Sequence, residues 1–250
     1  MEKEFIELCS KGDLFGAKQL LQLNPYINIS AEDEEAFCCA CYNCHYDVAQ
    51  WLLEVKPDIN ISAQKESAFR DACLSGNLYV CHWLFQVAKG MGKPINISID
   101  NDYVFRVTCF RGHLHVCQWL LKVSKEMGQP INIFAENQQS FRIACKEGHL
   151  DICQWLLQVA KEMGQDINVS IKQECAFRVA CENGHLEVAQ WLLEQKPDIN
   201  ICAEDDYAFR GCCIKKYLQV AQWLQSLKPH LYEINYDENG KFKDYKIRNC

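Results

Sequence analysis

The stretch most open to chemistry is Cys38-Cys39-Ala40-Cys41-Tyr42-Asn43-Cys44-His45. Two cysteines separated by two residues and followed by a histidine form the pattern that attaches a c-type haem, and clustered Cys and His can hold zinc. Register argues against both. A phenylalanine recurs at Phe5, Phe37, Phe69, Phe105, Phe141, Phe177 and Phe209, spaced 32, 32, 36, 36, 36 and 32 residues. All six tryptophans, Trp51, Trp83, Trp119, Trp155, Trp191 and Trp223, fall 14 residues after one of these, and only the first unit has Gln19 instead. In this frame Cys41 is the cysteine that every unit carries, Cys44 replaces a turn glycine, and His45 is the histidine of a Gly-His turn. The string is a repeat template with one Gly-to-Cys change, which leaves Cys38, Cys39 and Cys44 as extra thiols. No metal, haem or other cofactor is expected.

The remaining ionisable residues also fall into ladders. His113, His149 and His185 occupy the Gly-His turn once per unit, about 10 Å apart by the spacing of packed helices, too far to share a metal or one substrate. Arg70, Arg106, Arg142, Arg178 and Arg210 form a second ladder. Their guanidinium donors could tie one inter-unit turn to the next and pair with its carboxylates; an anion-binding strip is the rival reading. Acidic clusters at Glu32-Asp33-Glu34-Glu35, Asp100 and Asp102, Glu136, and Glu204-Asp205-Asp206 recur between units. They read as solvated tips that would also steer a basic ligand. The Trp ladder reads as groove packing between neighbours rather than a stacking platform for bases. No nucleophile with a base, phosphate-cradling Gly loop or isolated carboxylate pair stands outside the register, so an enzyme is not expected.

The elements that position these ladders are clearest in Ala176 to Ile201, AFRVACENGHLEVAQWLLEQKPDINI. Ala176, Phe177, Ala180 and Cys181 keep helical spacing, and Leu186, Ala189, Leu192 and Leu193 resume it after Gly184-His185. That predicts two short antiparallel helices joined by a tight turn whose glycine takes positive φ. Pro197-Asp198 stops the second helix, and Asp-Ile-Asn-Ile-Cys-Ala leads out as an extended, polar stretch. A period of this length predicts a solenoid of small units.

Helix, turn, helix and a projecting turn resemble the ankyrin repeat. Ala176, Phe177, Arg178 and Ala180 stand where that family has Pro, Leu, His and Ala, and Gly184, His185, Leu186, Leu192, Leu193 and Asn200 match its Gly-His, Leu-Leu and Asn positions. The resemblance covers roughly Glu2 to Leu227. AFR or SFR replaces the family's TPLH, and the segment from Asn to Phe is one residue short. The wording INIS, AFRxAC and GHLEVAQWLLE looks like the ankyrin proteins multiplied in giant DNA viruses of amoebae. The implied fold is all-α, an ankyrin-repeat solenoid of seven helix-pair units with projecting turns and a C-terminal β-hairpin.

The array is expected over residues 1–230 as one elongated domain. The first unit has no projecting turn before it and should fray most. Three successive units carry four extra residues, VAKGMGKP, VSKEMGQP and VAKEMGQD, read as one more turn on the second helix closed by Gly92, Gly128 and Gly164. Met91, Met127 and Met163 then line up, filling gaps between the longer helices or forming an adaptable binding strip. Residues 231–250 read as a hairpin around Asn239-Gly240, with Tyr236 facing Lys243, Ile234 facing Tyr245, Tyr232 facing Ile247 and Glu233 facing Lys246. Covering the last repeat is its simplest role, and a partner-binding appendage is the rival.

Composition narrows the function classes. A net charge of −7 argues against an electrostatic grip on nucleic acid or an anionic membrane and suits a protein partner with a basic surface. No apolar run approaches a membrane span, and MEKEFIEL carries charge where a signal peptide is apolar. Ten of the seventeen cysteines share two core registers, the first Cys9, Cys41, Cys73, Cys109, Cys145, Cys181 and Cys213, the second Cys81, Cys117 and Cys153. Reduced thiols in a reducing intracellular compartment are expected, the host cytoplasm if the chain is viral. Cys38, Cys44 and Cys250 should react first with a thiol reagent.

The expected function is a non-catalytic protein-protein interaction scaffold, monomeric, binding through a concave face and finger tips. The alternative is a substrate-recognition adaptor of a larger enzyme assembly such as a ubiquitin ligase, docked through the C-terminal tail. The residues before each turn glycine should line the concave face. Tyr42, Leu74 and Phe110 stand where later units have Lys146 and Glu182, with Arg111, Tyr103 and Phe134 nearby. Large apolar side chains at exposed positions, and Arg, mark interface hot spots. The competing expectation is that Leu74 and Phe110 fold back between repeats.

Overall fold

The computed structural model describes residues 1–248 and divides into two compact units, Met1–Ile131 and Asn132–Cys250. The first holds four helix pairs, α1 (Glu2–Ser10) with α2 (Leu14–Leu23), α3 (Ala31–Tyr42) with α4 (Tyr46–Val55), α5 (Ala63–Leu74) with α6 (Leu78–Gly90), and α7 (Ile99–Arg111) with α8 (Leu114–Glu126). The second holds α9 (Ala135–Glu147) with α10 (Leu150–Glu162), α11 (Ile171–Glu182) with α12 (Leu186–Gln195), and α13 (Ala203–Ile214) with α14 (Leu218–Leu227), followed by strands β1 (Tyr232–Tyr236) and β2 (Phe242–Ile247). Seven helix pairs and a C-terminal hairpin are the architecture the periodicity predicts. The four-residue insertions lengthen α6, α8 and α10 to 13 residues against 10 in the other second helices. Gly92, Gly128 and Gly164 follow at φ +69, +68 and +69°, the left-handed stop that only glycine adopts without strain.

The core repeats with the sequence. Each register Phe is buried, and its ring meets the Trp of the following repeat at 6.0 to 6.3 Å in the five resolved pairs, from Phe5–Trp51 to Phe177–Trp223. The expected groove packing of tryptophan therefore holds for these pairs, and each contact joins two neighbouring repeats. Phe209 is followed by no further repeat, and the hairpin supplies its partners. Tyr232 stacks on it at 4.0 Å and 5°, and Tyr245 meets it edge-on at 5.8 Å.

The inter-repeat segments depart from expectation. The stretch Asp-Ile-Asn-Ile is not a polar excursion, because its isoleucines, among them Ile59, Ile61, Ile95, Ile97, Ile199 and Ile201, are buried. The intervening asparagine closes an Asx turn, its side-chain oxygen accepting the N–H two residues on at Asn28, Asn132, Asn168 and Asn200. Each first helix after α1 is then entered through three successive residues in the left-handed region, such as Glu32, Asp33 and Glu34 at φ 53, 56 and 67°. Such residues cost roughly 1–2 kcal/mol each relative to the right-handed form, so the turns must be held from outside.

Two devices hold them. The carbonyls of the turn, denied intrahelical donors, accept from the arginine ladder: Arg178 Nε donates to Gln173 O at 2.7 Å and its Nη2 to Lys172 O at 3.0 Å, and Arg142 repeats the pattern on Asn137 and Glu136. Arg142 and Arg178 thus brace their own turn, not the neighbouring finger's carboxylates as the sequence suggested, whereas Arg70 turns to Ser67 Oγ and to the Asp71 carboxylate beside it. The second device is the third residue of the turn. Glu34 is 6% exposed, and its carboxylate accepts from Ser30 Oγ at 2.7 Å and from the Asn60 N–H of the next repeat at 3.1 Å. Glu66 likewise takes the Asn96 N–H at 3.2 Å. The acidic tips are solvated only at their first two residues.

The hairpin register agrees with expectation from Tyr232↔Ile247 to Ile234↔Tyr245, but Tyr236 faces Phe242 rather than Lys243 because a bulge intervenes. The cause lies in the turn. Asp237 Oδ1 accepts the N–H groups of Asn239 and Lys241, and only Gly240 takes positive φ, at +73°. A two-residue type I′ loop needs positive φ at both central residues, so Asn239-Gly240 ends a longer turn instead.

Candidate interaction surface

The joints between repeats account for most conspicuous polar residues. At Gly12, Gly76 and Gly148 the missing Cβ makes room for the imidazole of His45, His113 and His185 in the following repeat, at distances where a methyl would overlap the ring. At Gly184 the ring is that of Tyr217. His113 Nε2 reaches Leu74 O at 3.0 Å. Cys44 takes the glycine's place at φ 62°, and the following repeat has Asn77 where the others have a ring. The histidines are structural ties across the joint, beyond the turn role read from sequence.

The Cys38–His45 string does not converge. Cys38 and Cys41 are buried, Cys39 is half-buried with its thiol 3.4 Å from Glu35 Oε1, and Cys44 is exposed beside Ser75 Oγ at 3.6 Å. Among the described residues, no group of three or more His, Cys, Asp or Glu side chains is placed to hold a metal ion. Burial pushes the thiols up, Cys38 to about 12 and Cys39 to about 11. Cys38 is therefore not the reactive thiol the sequence suggested, while Cys250 lies outside the described residues. The two core registers also meet within a repeat, as unbridged pairs with sulfur separations of 3.6 Å at Cys73–Cys81 and Cys109–Cys117 and 3.4 Å at Cys145–Cys153.

The ends of the first helices carry some of the exposed apolar residues, and others, among them Phe15, Leu23, Tyr26 and Tyr79, lie on second helices and connecting turns. In the first unit α3, α5 and α7 pack side by side. Tyr42 at the end of α3 is 48% exposed, and Phe110 near the end of α7 is 39% exposed with the Arg111 guanidinium 5.6 Å over its ring. Tyr103, 40% exposed, lies under Arg106 at 5.8 Å. Leu74 is half-buried and Arg111 exposed, so of the two residues expected either to project or to fold back, Phe110 projects and Leu74 does so in part. Between α3 and α5 a cleft of about 330 Å³ is lined by Glu35, Cys39, Tyr42, Gln64, Ser67 and Asp71, among others. Phe134 belongs to the second unit, half-buried at the start of α9, where its N–H donates to Asn132. The row of methionines is not core: Met91 and Met127 are half-buried and Met163 exposed, and Met127 borders a cleft of about 330 Å³ with Phe85, Lys89 and Pro94.

In the second unit the equivalent helix ends carry Lys146, Glu182 and Ile214, and Ile214 is 68% exposed. Sequence reasoning left Ile214 out of the candidate residues. Its signal was its register, the same as that of Tyr42 and Phe110. No helix among the described residues is long and apolar enough to cross a membrane.

Comparison with known proteins agrees with this anatomy. The crystal structure of the human ASB11 ankyrin repeat domain superposes with a TM-score of 0.56 at 16% sequence identity, covering 82% of this chain and 95% of that one. At that identity the likeness speaks for the fold. No curated protein matches, so the narrower resemblance to ankyrin proteins of giant amoeba viruses finds no support there. The family profile described as Ankyrin repeats (3 copies) matches residues 69–171, 105–205 and 141–237, together more than half of the sequence. The chain belongs to the ankyrin-repeat family, whose members are generally protein-protein interaction modules.

Proposed function

We propose that this protein is a non-catalytic interaction scaffold that grips a protein partner through the first-helix ends of its first unit. The observation that carries the reading is the exposure of Tyr42, Tyr103 and Phe110 on or beside helices packed side by side, two of the rings stacked by arginine. Rigid aromatic groups next to guanidinium are the composition of interface hot spots. Leu74 and Arg111 complete this face, and Phe134, in the second unit, is a separate candidate contact. The exposed acids Glu32, Asp33, Asp100, Glu136, Glu204 and Asp205 favour a partner with a basic surface through long-range attraction. The working form is a monomer, and buried free thiols in both units suit a reducing intracellular compartment. A role in a virus-infected host cell rests on the wording of the repeats alone.

The adaptor reading draws on one feature, the hairpin, whose outer strand β2 pairs along a single edge. Deleting the tail would not test it, because removal of Tyr232 strips Phe209 of its stacking partner. Isolation of the natural partner with the whole chain as bait, followed by affinity measurement on Phe110→Ala and Tyr42→Ala, tests the principal reading. A loss of about 2 kcal/mol per hot-spot residue with unchanged unfolding supports it. Unchanged affinity removes the helix-end face from the account.

A further inference from the structure

The charge of the chain is unevenly placed. Residues 207–248 contain eight Lys and Arg (Arg210, Lys215, Lys216, Lys228, Lys241, Lys243, Lys246, Arg248) against four acids (Glu233, Asp237, Glu238, Asp244), a net +4 within a chain of −7. Arg248 is engaged by Glu233 at 2.7 Å and Lys215 by Glu182 at 3.1 Å, while Lys216, Lys241, Lys243 and Lys246 are exposed. Three of these four lie in or beside β2, the outer strand of a two-stranded sheet. That strand therefore presents a row of backbone N–H and C=O groups flanked by cations.

Beside it lies a cleft of about 260 Å³ lined by Glu182, Tyr207, Arg210, Gly211, Ile214 and Tyr245, with Lys215 at its edge. Gly211 opens it: the equivalent residues of neighbouring repeats are Ile143 and Val179, and a Cβ on Gly211 would come within 2.8 Å of Glu182 Cγ. Ile214 stands at the cleft 68% exposed. The one acid of the cleft, Glu182, is already held by Lys215 and by the Tyr207 hydroxyl at 2.9 Å, so it repels an incoming anion little. Arg210 Nε is buried and meets no acceptor, and its Nη2 reaches Glu204 O only at 3.4 Å. Tyr245 belongs to β2 and lines the cleft, which makes the two features one surface.

We propose that β2 and the Gly211 cleft form a docking surface for an acidic, extended peptide segment of a partner protein, separate from the helix-end face. The segment adds to β2 as a third antiparallel or parallel strand, its main chain satisfying the open edge. An aliphatic side chain enters the cleft against Ile214 and the Tyr245 ring, and carboxylates meet Arg210, Lys243 and Lys246.

The test uses the purified full chain and a fluorescein-labelled peptide alternating glutamate with isoleucine, read by anisotropy, with amide chemical shifts locating the site. Binding with shifts in β2 and around Gly211 is expected, weakened at least tenfold by Lys243→Glu with Lys246→Glu and by Gly211→Ala, while thermal unfolding stays unchanged. N-methylation of alternate peptide residues should abolish it. If Gly211→Ala disturbs folding, Ile214→Ser serves as the cleft variant. No binding by the peptide overturns the proposal and leaves the lysines as protection of an edge strand against self-pairing. Equal or tighter binding of a single-stranded oligonucleotide overturns it in favour of a polyanion site, and indifference to N-methylation overturns the strand pairing. Self-association by sedimentation that disappears in the charge-reversed variant overturns it in favour of a second copy.

Discussion

Replacing Tyr232 by alanine should unseat the hairpin from the last repeat. Its side chain is 1% exposed, stacked on Phe209, and its hydroxyl donates to Asp206 Oδ1 at 2.7 Å. Asp206 is the third residue of its left-handed turn, the register in which Glu34 and Glu66 hold the N–H of a following repeat. The tyrosine thus takes over both contacts that a further repeat would make. Truncating a buried aromatic costs about 3–5 kcal/mol, and a hydrogen bond to a charged group adds about 1.5–3 kcal/mol when its acceptor is left buried. Asp206 is half-buried and regains some water, so the lower end applies and the total is about 5 kcal/mol. Tyr232→Phe keeps the stack and should lose only about 1.5 kcal/mol. Urea unfolding gives the totals, and native-state hydrogen exchange locates them, with faster exchange expected first in α13, α14 and the hairpin. A Tyr232→Ala protein within about 1 kcal/mol of the parent, or one whose α13 exchanges at the parent rate, would refute the reasoning.

Three other expectations follow from the same geometry. Gly76→Ala and Gly92→Ala both place alanine at positive φ, +73° and +69°, but only the first drives a methyl into the His113 ring. Gly92→Ala should cost about 1–2 kcal/mol and Gly76→Ala measurably more; equal losses in urea unfolding would mean that His113 simply moves aside. Burial, the largest influence, holds His185 below its ordinary value, opposed by its backbone bond to Lys146. The unfolded chain thus accepts a proton that the folded one refuses, so this contribution to stability is full above pH of about 6.5 and falls as pH drops below it. The decline in unfolding midpoint should be shallower in His185→Gln, and an unchanged slope contradicts the assignment. With Cys38 at about 12 and Cys39 at about 11, thiolate at pH 8 is roughly one part in 10⁴ and 10³. Mass-resolved labelling should therefore modify Cys44 first among the described cysteines, and rapid labelling of Cys38 or Cys41 would contradict the packing.

Much of the fold was legible because one period governs it. The Phe and Trp registers marked the repeats, and the glycines after the longer second helices marked their ends. The Gly-to-ring contacts were also present in the sequence, since Cys44 is followed one repeat later by Asn77 instead of a ring. What sequence could not show were the left-handed turns, because Glu32-Asp33-Glu34 and Lys172-Gln173-Glu174 contain none of the glycine that normally announces positive φ. Their stability comes from partners distant in sequence, such as the Asn60 N–H on Glu34. Without those turns Arg178 was assigned to the wrong acceptor and Glu34 to the solvent. The hairpin bulge escaped for a similar reason, as the Asp237 side chain sets the turn and Asn-Gly only completes it. For the candidate site, register identified Tyr42 and Phe110 as exposed, but Ile214, in the same register, was left out of the candidate residues.

The central claim is that the aromatic helix ends of the first unit bind a protein partner. Calorimetric titration of the isolated natural partner into the parent chain, Tyr42→Ala, Phe110→Ala and the control Phe15→Ala, exposed by 72% elsewhere in the same unit, tests it most directly. The account predicts that each helix-end variant weakens binding by about 2 kcal/mol, roughly thirtyfold, with the control and all unfolding midpoints unchanged. Parent-like affinity in both helix-end variants would contradict it.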